Sequence, residues 1–140
     1  MRDAKAERIR GKAARQGVHR VWLAVSFVLA FLAIGSMHWM KPYAQVSLPN
    51  SLLGPGLGAV LIAGALACVA GRANFWIALL VVGSAAPAAI AARVVVDTAR
   101  DPTSHNLWPF ELVLGGIVGY AAAAVGALLA IGWKWVTGKK

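Results

Sequence analysis

Four long apolar stretches divide the charged residues of this 140-residue chain into separate groups. The first, at 21–40, contains no charged side chain and covers roughly 30 Å as a helix, which is the thickness of a hydrocarbon core. Comparable stretches occupy 52–70, 75–96 and 112–136. In hydrocarbon every backbone N–H and C=O must be hydrogen-bonded within its own segment, so a helix is the expected state of each. The sequence therefore predicts an all-α integral membrane protein with four transmembrane helices in an antiparallel bundle.

The composition favours the same class. Apolar residues make up 59% of the chain and charged residues 14%, whereas soluble proteins average about 25% charged residues. The formal charge of +9 does not indicate nucleic-acid binding, because half of the Lys and Arg residues lie in the first 20 residues, where they orient a membrane protein. Cys68 lies in a Gly/Ala-rich run and is expected to pack as a small hydrophobe.

Turn-forming residues mark the predicted helix ends. Pro42 follows the first helix, Gly71 and Asn74 fit a C-cap and an N-cap, and Pro109 fits a first helical turn. The other predicted segments of this single domain are a basic cytoplasmic stretch at 1–20, outer loops at 41–51 and 97–111, and a cytoplasmic tail at 138–140.

Lys and Arg are distributed unequally about the predicted spans. With the N-terminus inside, 11 lie on the inner side, and Lys41, Arg93 and Arg100 lie on the outer side, as the positive-inside rule requires. The Trp residues lie near span ends, as in interfacial aromatic belts. Both termini are therefore predicted to be cytoplasmic, in a multi-pass protein of the bacterial cytoplasmic (inner) membrane. A cleaved signal peptide is not favoured, because the first apolar run exceeds the usual length of about 7–15 residues.

Small residues recur at helical spacing in two spans. They are Gly115, Gly119, Ala122 and Gly126 in the fourth, and Gly54, Gly58 and Ala65 in the second. Such stripes let helix backbones approach closely in lipid, although Gly is common in membrane helices in any case. Pro87 is expected to kink the third helix near mid-bilayer.

No Asp, Glu, Lys or Arg lies in the middle of any span, and such residues are the usual mark of ion- or proton-coupled transport. The chain also lacks the phosphate-binding Gly-rich loop, HExxH, paired-CxxC and GxSxG motifs, so no enzyme is predicted. The favoured function is an accessory or structural subunit of a larger membrane complex or of a homo-oligomer. A small transporter or channel, or a cofactor-binding redox subunit, is the alternative.

The segment 93–111 holds three of the five acidic residues of the chain. Arg93, Asp97 and Asp101 share a helix face by their spacing, and Trp108 and Phe110 fit aromatic anchors at the interface. We predict an outer-face surface for a partner or ligand, formed by Arg93, Asp97, Asp101, His105, Asn106, Trp108, Phe110 and Glu111. The alternative is that these charges cap two helices and pair with each other.

No cofactor is predicted. His38 and His105 both fall on the outer side, and a haem or a metal ion is an alternative there, although the two lack a ligand-spacing signature. The basic stretch at 1–20 is predicted to lie against anionic lipid headgroups, which attract each Lys or Arg by about 1 kcal/mol. The expected partners are the bilayer, those headgroups, and a membrane protein or a second copy of this chain.

Overall fold

The computed structural model describes residues 2–42, 50, 52–102 and 107–138, with only the backbone for residues 2–6, 8–10 and 12–15. These residues form the helices α1 (Arg2–Trp39), α2 (Pro55–Val69), α3 (Phe75–Gly83), α4 (Ala85–Arg100) and α5 (Trp108–Thr137). Within those ranges there is no strand. Three helical stretches are long and apolar enough to cross a membrane, namely Gln16–Trp39, Phe75–Arg100 and Trp108–Thr137. The prediction of an all-helical membrane protein is confirmed at this level.

The second predicted span, at 52–70, differs in length from the helix that forms there. α2 has 15 residues and covers about 22 Å, which is less than the roughly 30 Å of a hydrocarbon core. Pro55 is its first residue. Proline suits this position because the first N–H groups of a helix have no partner within the helix, and proline has no N–H. Residues 52–54, which were predicted to be helical, form a turn instead.

α2 packs antiparallel against α1. A Cβ atom on Gly56, near the start of α2, would lie 3.2 Å from the Cα of Ile34, and one on Gly71, just after its end, would lie 3.1 Å from the Cβ of Trp22. The structure places the C-cap at Ala70 rather than at the predicted Gly71. A Cβ on Gly71 would lie 2.5 Å from the Ala67 carbonyl oxygen of α2 as well as against Trp22, so a small residue is needed there. The left-handed backbone falls on Arg72, whose φ is 52°.

The predicted kink in the third span appears as a break between α3 and α4. Ser84 separates the two helices, three residues before Pro87. Pro87 has no N–H to bond the Gly83 carbonyl four residues earlier, and its ring crowds that carbonyl. The Gly83 oxygen lies against α5, where a Cβ on Gly119 would be 2.6 Å away. The proline therefore frees a carbonyl that packs onto the neighbouring helix.

The connection between α4 and α5 is shorter than the outer loop predicted at 97–111. α4 continues to Arg100 and α5 begins at Trp108, so the residues between the helices are 101–107. Asp97, which was predicted to lie at the start of the loop, is helical. Pro109 lies in the first turn of α5, as predicted.

The core consists mainly of Ala and Gly. The predicted stripe on α5, Gly115, Gly119, Ala122 and Gly126, is buried against α2, α3 and α4. In α2 the closest approach is at Gly64, where a Cβ would lie 2.8 Å from the Ala123 oxygen. Gly54 and Gly58 are exposed, and a Cβ on either would have no described atom within 4 Å. The contact face of α2 is therefore rotated away from the predicted pair of glycines.

Candidate functional site at the Arg93 end of the bundle

Arg93 joins α1 and α4 at the end of the bundle that was predicted to face outward. Its side chain is only 8% exposed, and it donates from Nη1 to the His38 carbonyl, from Nη2 to the Lys41 carbonyl at 2.8 Å, and from Nε to Asp97 Oδ2 at 3.1 Å. The last carbonyls of a helix lack helical donors, and a guanidinium fork can serve two of them together with a carboxylate. The Arg93–Asp97 pair predicted from the i, i+4 spacing is confirmed. We call this group, which comprises Arg93, Asp97 and the carbonyls of His38 and Lys41, the outer clamp.

Trp39 reinforces the same joint. Its indole Nε1 donates to the Ala89 carbonyl at 2.9 Å, which links α1 to α4 one turn below Arg93. The ring folds back over Gly35, where a Cβ would lie 2.6 Å from two ring atoms, and it meets Phe31 edge-on at a centroid distance of 5.3 Å. The sequence predicted Trp39 only as an interfacial anchor. The four-residue spacing from Gly35 was the signal that could have indicated an inward-folded ring.

His38 is buried beside the outer clamp. It is 1% exposed, and its backbone carbonyl accepts from Arg93. His105, its proposed companion for a haem or a metal ion, lies outside the described residues, and so does Asn106. Among the described residues, no group of three or more His, Cys, Asp and Glu side chains could hold a metal ion.

The other predicted site residues lie on the surface. Trp108 and Phe110 are 47% and 68% exposed in the first turn of α5, and Asp101 is exposed just after α4. Glu111 is partly buried in the first turn of α5, where a carboxylate is favourable to the helix dipole. We call Trp108 and Phe110 the aromatic edge. The structure therefore divides the predicted surface into a buried clamp and an exposed edge.

The two groups differ in what they can do chemically. The Arg93 guanidinium donates to three acceptors within the chain, so it serves the joint between α1 and α4. The aromatic edge leaves large apolar side chains exposed on the surface of the bundle. The chain matches no protein-family model, no curated protein and no solved structure.

A second joint at the other end of the bundle was not predicted. Lys134 Nζ, near the end of α5, donates to the carbonyl of Cys68 in the last turn of α2 at 2.6 Å. A cation at a helix C-terminus both satisfies a carbonyl and complements the dipole. In the sequence, Lys134 served only as one of the inner-side charges from which the orientation of the chain was predicted. Cys68 itself is buried among apolar residues, as predicted.

Proposed function

We propose that this protein is an accessory or structural subunit of a larger membrane complex or of a homo-oligomer. The observation that carries the proposal is the direct backbone contact between helices. At Gly64, Gly119 and Gly126 a carbonyl of the neighbouring helix occupies the space that a Cβ would need. At these contacts the helices leave no room for a polar passage, which a channel or transporter requires. Such packing suits a rigid body that presents its surfaces to other proteins.

The proposed topology has four spans with both termini in the cytoplasm. Although α2 covers only about 22 Å, it runs beside α1 from the level of Ile34 to that of Trp22. Its flanking turns also pack on protein, since Leu52 and Gly71 are buried. A bilayer adapts to a short helix at fractions of a kcal/mol per ångström.

Reporter fusions test this topology. Alkaline phosphatase is expected to be active when fused after Gln45 or Ser104 and inactive when fused after Arg72 or Lys140. Activity at Lys140 would place the C-terminus outside and leave three spans, with α2 folded against the bundle without crossing.

The aromatic edge is the proposed contact with a membrane-protein partner. Exposed aromatic side chains beside polar groups are typical of binding hot spots, where truncation to Ala costs about 2 kcal/mol or more. Trp108→Ala is therefore expected to weaken a partner's binding by roughly 30-fold. Trp76→Ala is the matched control, since Trp76 is 67% exposed at the start of α3, far from the aromatic edge.

The experiment is purification of the tagged full chain in mild detergent at matched membrane levels, followed by identification of co-purified proteins. A stoichiometric partner lost with Trp108→Ala and retained with Trp76→Ala supports the proposal. His105→Gln, which preserves a side-chain hydrogen-bonding group, tests whether the residues between α4 and α5 take part. Equal recovery from all three variants would leave the aromatic edge as a membrane anchor, and a Soret band in the same preparation would favour the redox alternative.

A further inference from the structure

A basic groove lies at the opposite end of the bundle from the aromatic edge. It has a volume of about 900 Å³ and separates α1 from the turn that joins α2 to α3. Its lining includes Gln16, Val18, His19 and Arg20 from α1 and Gly71 and Arg72 from the turn. A helix and a turn that are distant in sequence therefore each bring a guanidinium to one open site.

The two guanidinium groups have no acidic neighbour that would neutralise them. In the parts of the chain that the structure describes, neither the Arg20 nor the Arg72 side chain forms a hydrogen bond or an ion pair. Glu7, on the same helix, is about 20 Å from Arg20 along the axis, by the helical rise. Converging positive side chains of this kind raise the local concentration of anions.

The backbone of Arg72 indicates that its side chain is needed at this position. Arg72 is the one non-glycine residue with a positive φ in the described ranges, and a glycine would adopt that conformation without steric cost. A strained non-glycine residue is an observation from which a functional role can be inferred. The neighbouring Gly71 packs against Trp22, two residues after Arg20 on α1, and this contact holds the turn, and with it Arg72, close to Arg20.

The groove also has an apolar side. Val18 lines it, and Val21, one turn further along α1, is 61% exposed on the same helix face. Val69, in the last turn of α2, is 49% exposed. Trp22 and Trp76 flank this level, where interfacial aromatic residues mark the boundary between headgroups and acyl chains. The site therefore combines cations at headgroup depth with apolar surface just below.

We propose that this groove binds one anionic phospholipid, with Arg20 and Arg72 donating to the oxygens of its headgroup phosphate and an acyl chain lying over Val21 and Val69. Arginine suits the role because its planar fork binds phosphate oxygens in pairs. Basic pockets between membrane helices at the cytoplasmic side bind anionic phospholipids on the same principle. This inference rests on the proposed placement of this end at a membrane surface and not on the subunit role.

Native mass spectrometry of the full chain in mild detergent tests the proposal. Phosphatidylglycerol or phosphatidylcholine with identical acyl chains is titrated, and the fraction carrying one lipid is measured. Arg20→Gln and Arg72→Gly are each expected to weaken binding of the first phosphatidylglycerol about fivefold, and phosphatidylcholine is expected to bind more weakly than phosphatidylglycerol. Arg72→Gly also relieves the left-handed backbone, so loss of binding by this variant would not reflect misfolding.

Two controls remove the same charge elsewhere. Arg8→Gln lies in the same basic stretch, about 18 Å along α1 from Arg20, and Arg100→Gln lies at the far end of α4. Arg100→Gln is expected to bind phosphatidylglycerol as the parent does, and Arg8→Gln is expected to weaken binding of the first phosphatidylglycerol less than Arg20→Gln does, because Arg8 lies that far along α1 from the groove residue Arg20. If Arg8→Gln weakens binding as much as Arg20→Gln, or if phosphatidylcholine binds equally well, the groove is not a specific site. Competition by glycerol 3-phosphate at equal concentration would assign the site to a free phosphate compound and overturn the lipid proposal. None of these outcomes depends on whether the aromatic edge binds a partner.

Discussion

Gly126→Ala is the most direct test of the packing that this structure shows. Gly126 places α5 against the backbone of α2. A Cβ on Gly126 would contact the Leu61 carbonyl, lying 2.8 Å from the carbonyl carbon, and would lie 3.1 Å from the Ala65 nitrogen. Ordinary contacts of a Cβ begin near 3.4 Å. Because both neighbours are backbone atoms, no side chain can rotate away to make room. The helices must instead separate by about half an ångström or more, since a protein interior is close-packed.

The expected cost follows from a comparison with Gly132, on the same helix. A Cβ at Gly132 would meet no described atom within 4 Å. Both substitutions gain the higher helix propensity of Ala, about 0.5–1 kcal/mol, so this gain cancels between them. What remains is the steric cost at Gly126, which for overpacking is typically 1–3 kcal/mol. Gly132→Ala is therefore expected to be neutral or stabilising, and Gly126→Ala less stable than Gly132→Ala by about 1–3 kcal/mol.

Unfolding of both variants and the parent in mixed micelles, by titration with a denaturing detergent, measures the difference in the free energy of unfolding. Gly64→Ala, with a Cβ 2.8 Å from the Ala123 oxygen, approaches the same interface from α2 and should behave like Gly126→Ala. Equal stability of Gly126→Ala and Gly132→Ala would refute the close contact between α2 and α5 and, with it, the observation on which the proposed subunit role rests.

Three further substitutions test the joint between α1 and α4, and a fourth tests a helix cap, all by the same measurement. Arg93→Lys keeps the charge, but a lysine cannot reach the His38 and Lys41 carbonyls and Asp97 together, so the free energy of unfolding should fall by about 1–3 kcal/mol. Its control is Arg100→Lys, at an exposed position, which should change the stability little. Asp97→Ala should destabilise the protein more than Asp3→Ala, because it removes the carboxylate from a buried guanidinium; equal stabilities would contradict the ion-pair argument. Trp39→Phe should lose about 0.5–1.5 kcal/mol with the bond to Ala89, and Trp133→Phe, which is 65% exposed, should not. Asn74→Ala should cost about 1 kcal/mol, because the Asn74 side chain accepts from the Ile77 N–H at 2.8 Å; an unchanged stability would show that this cap is dispensable.

The sequence was informative wherever a local pattern has one physical outcome. Runs of apolar residues must be helical in hydrocarbon, so the class could be predicted without a structure. Asn74 caps α3, Pro109 lies in the first turn of α5, and Arg93 pairs with Asp97, as residue type and spacing predicted. Each of these depends on residues within four positions of one another, and for such contacts helix geometry supplies the distance.

Contacts between distant segments could not be obtained in this way. The rotation of α2 decides that Gly64, and not Gly58, meets α5, and nothing in the order of residues specifies that angle. In the same way, the sequence shows Arg93 beside Asp97 but not that Arg93 binds carbonyls 52 and 55 residues away. It shows that Arg20 and Arg72 are basic, but only the packing of Gly71 on α1 places both around one groove. The tertiary structure decides these pairings because small residues allow several faces of a helix to approach its neighbours. The faces that pack are those that leave the least empty space while the backbone groups keep their hydrogen bonds.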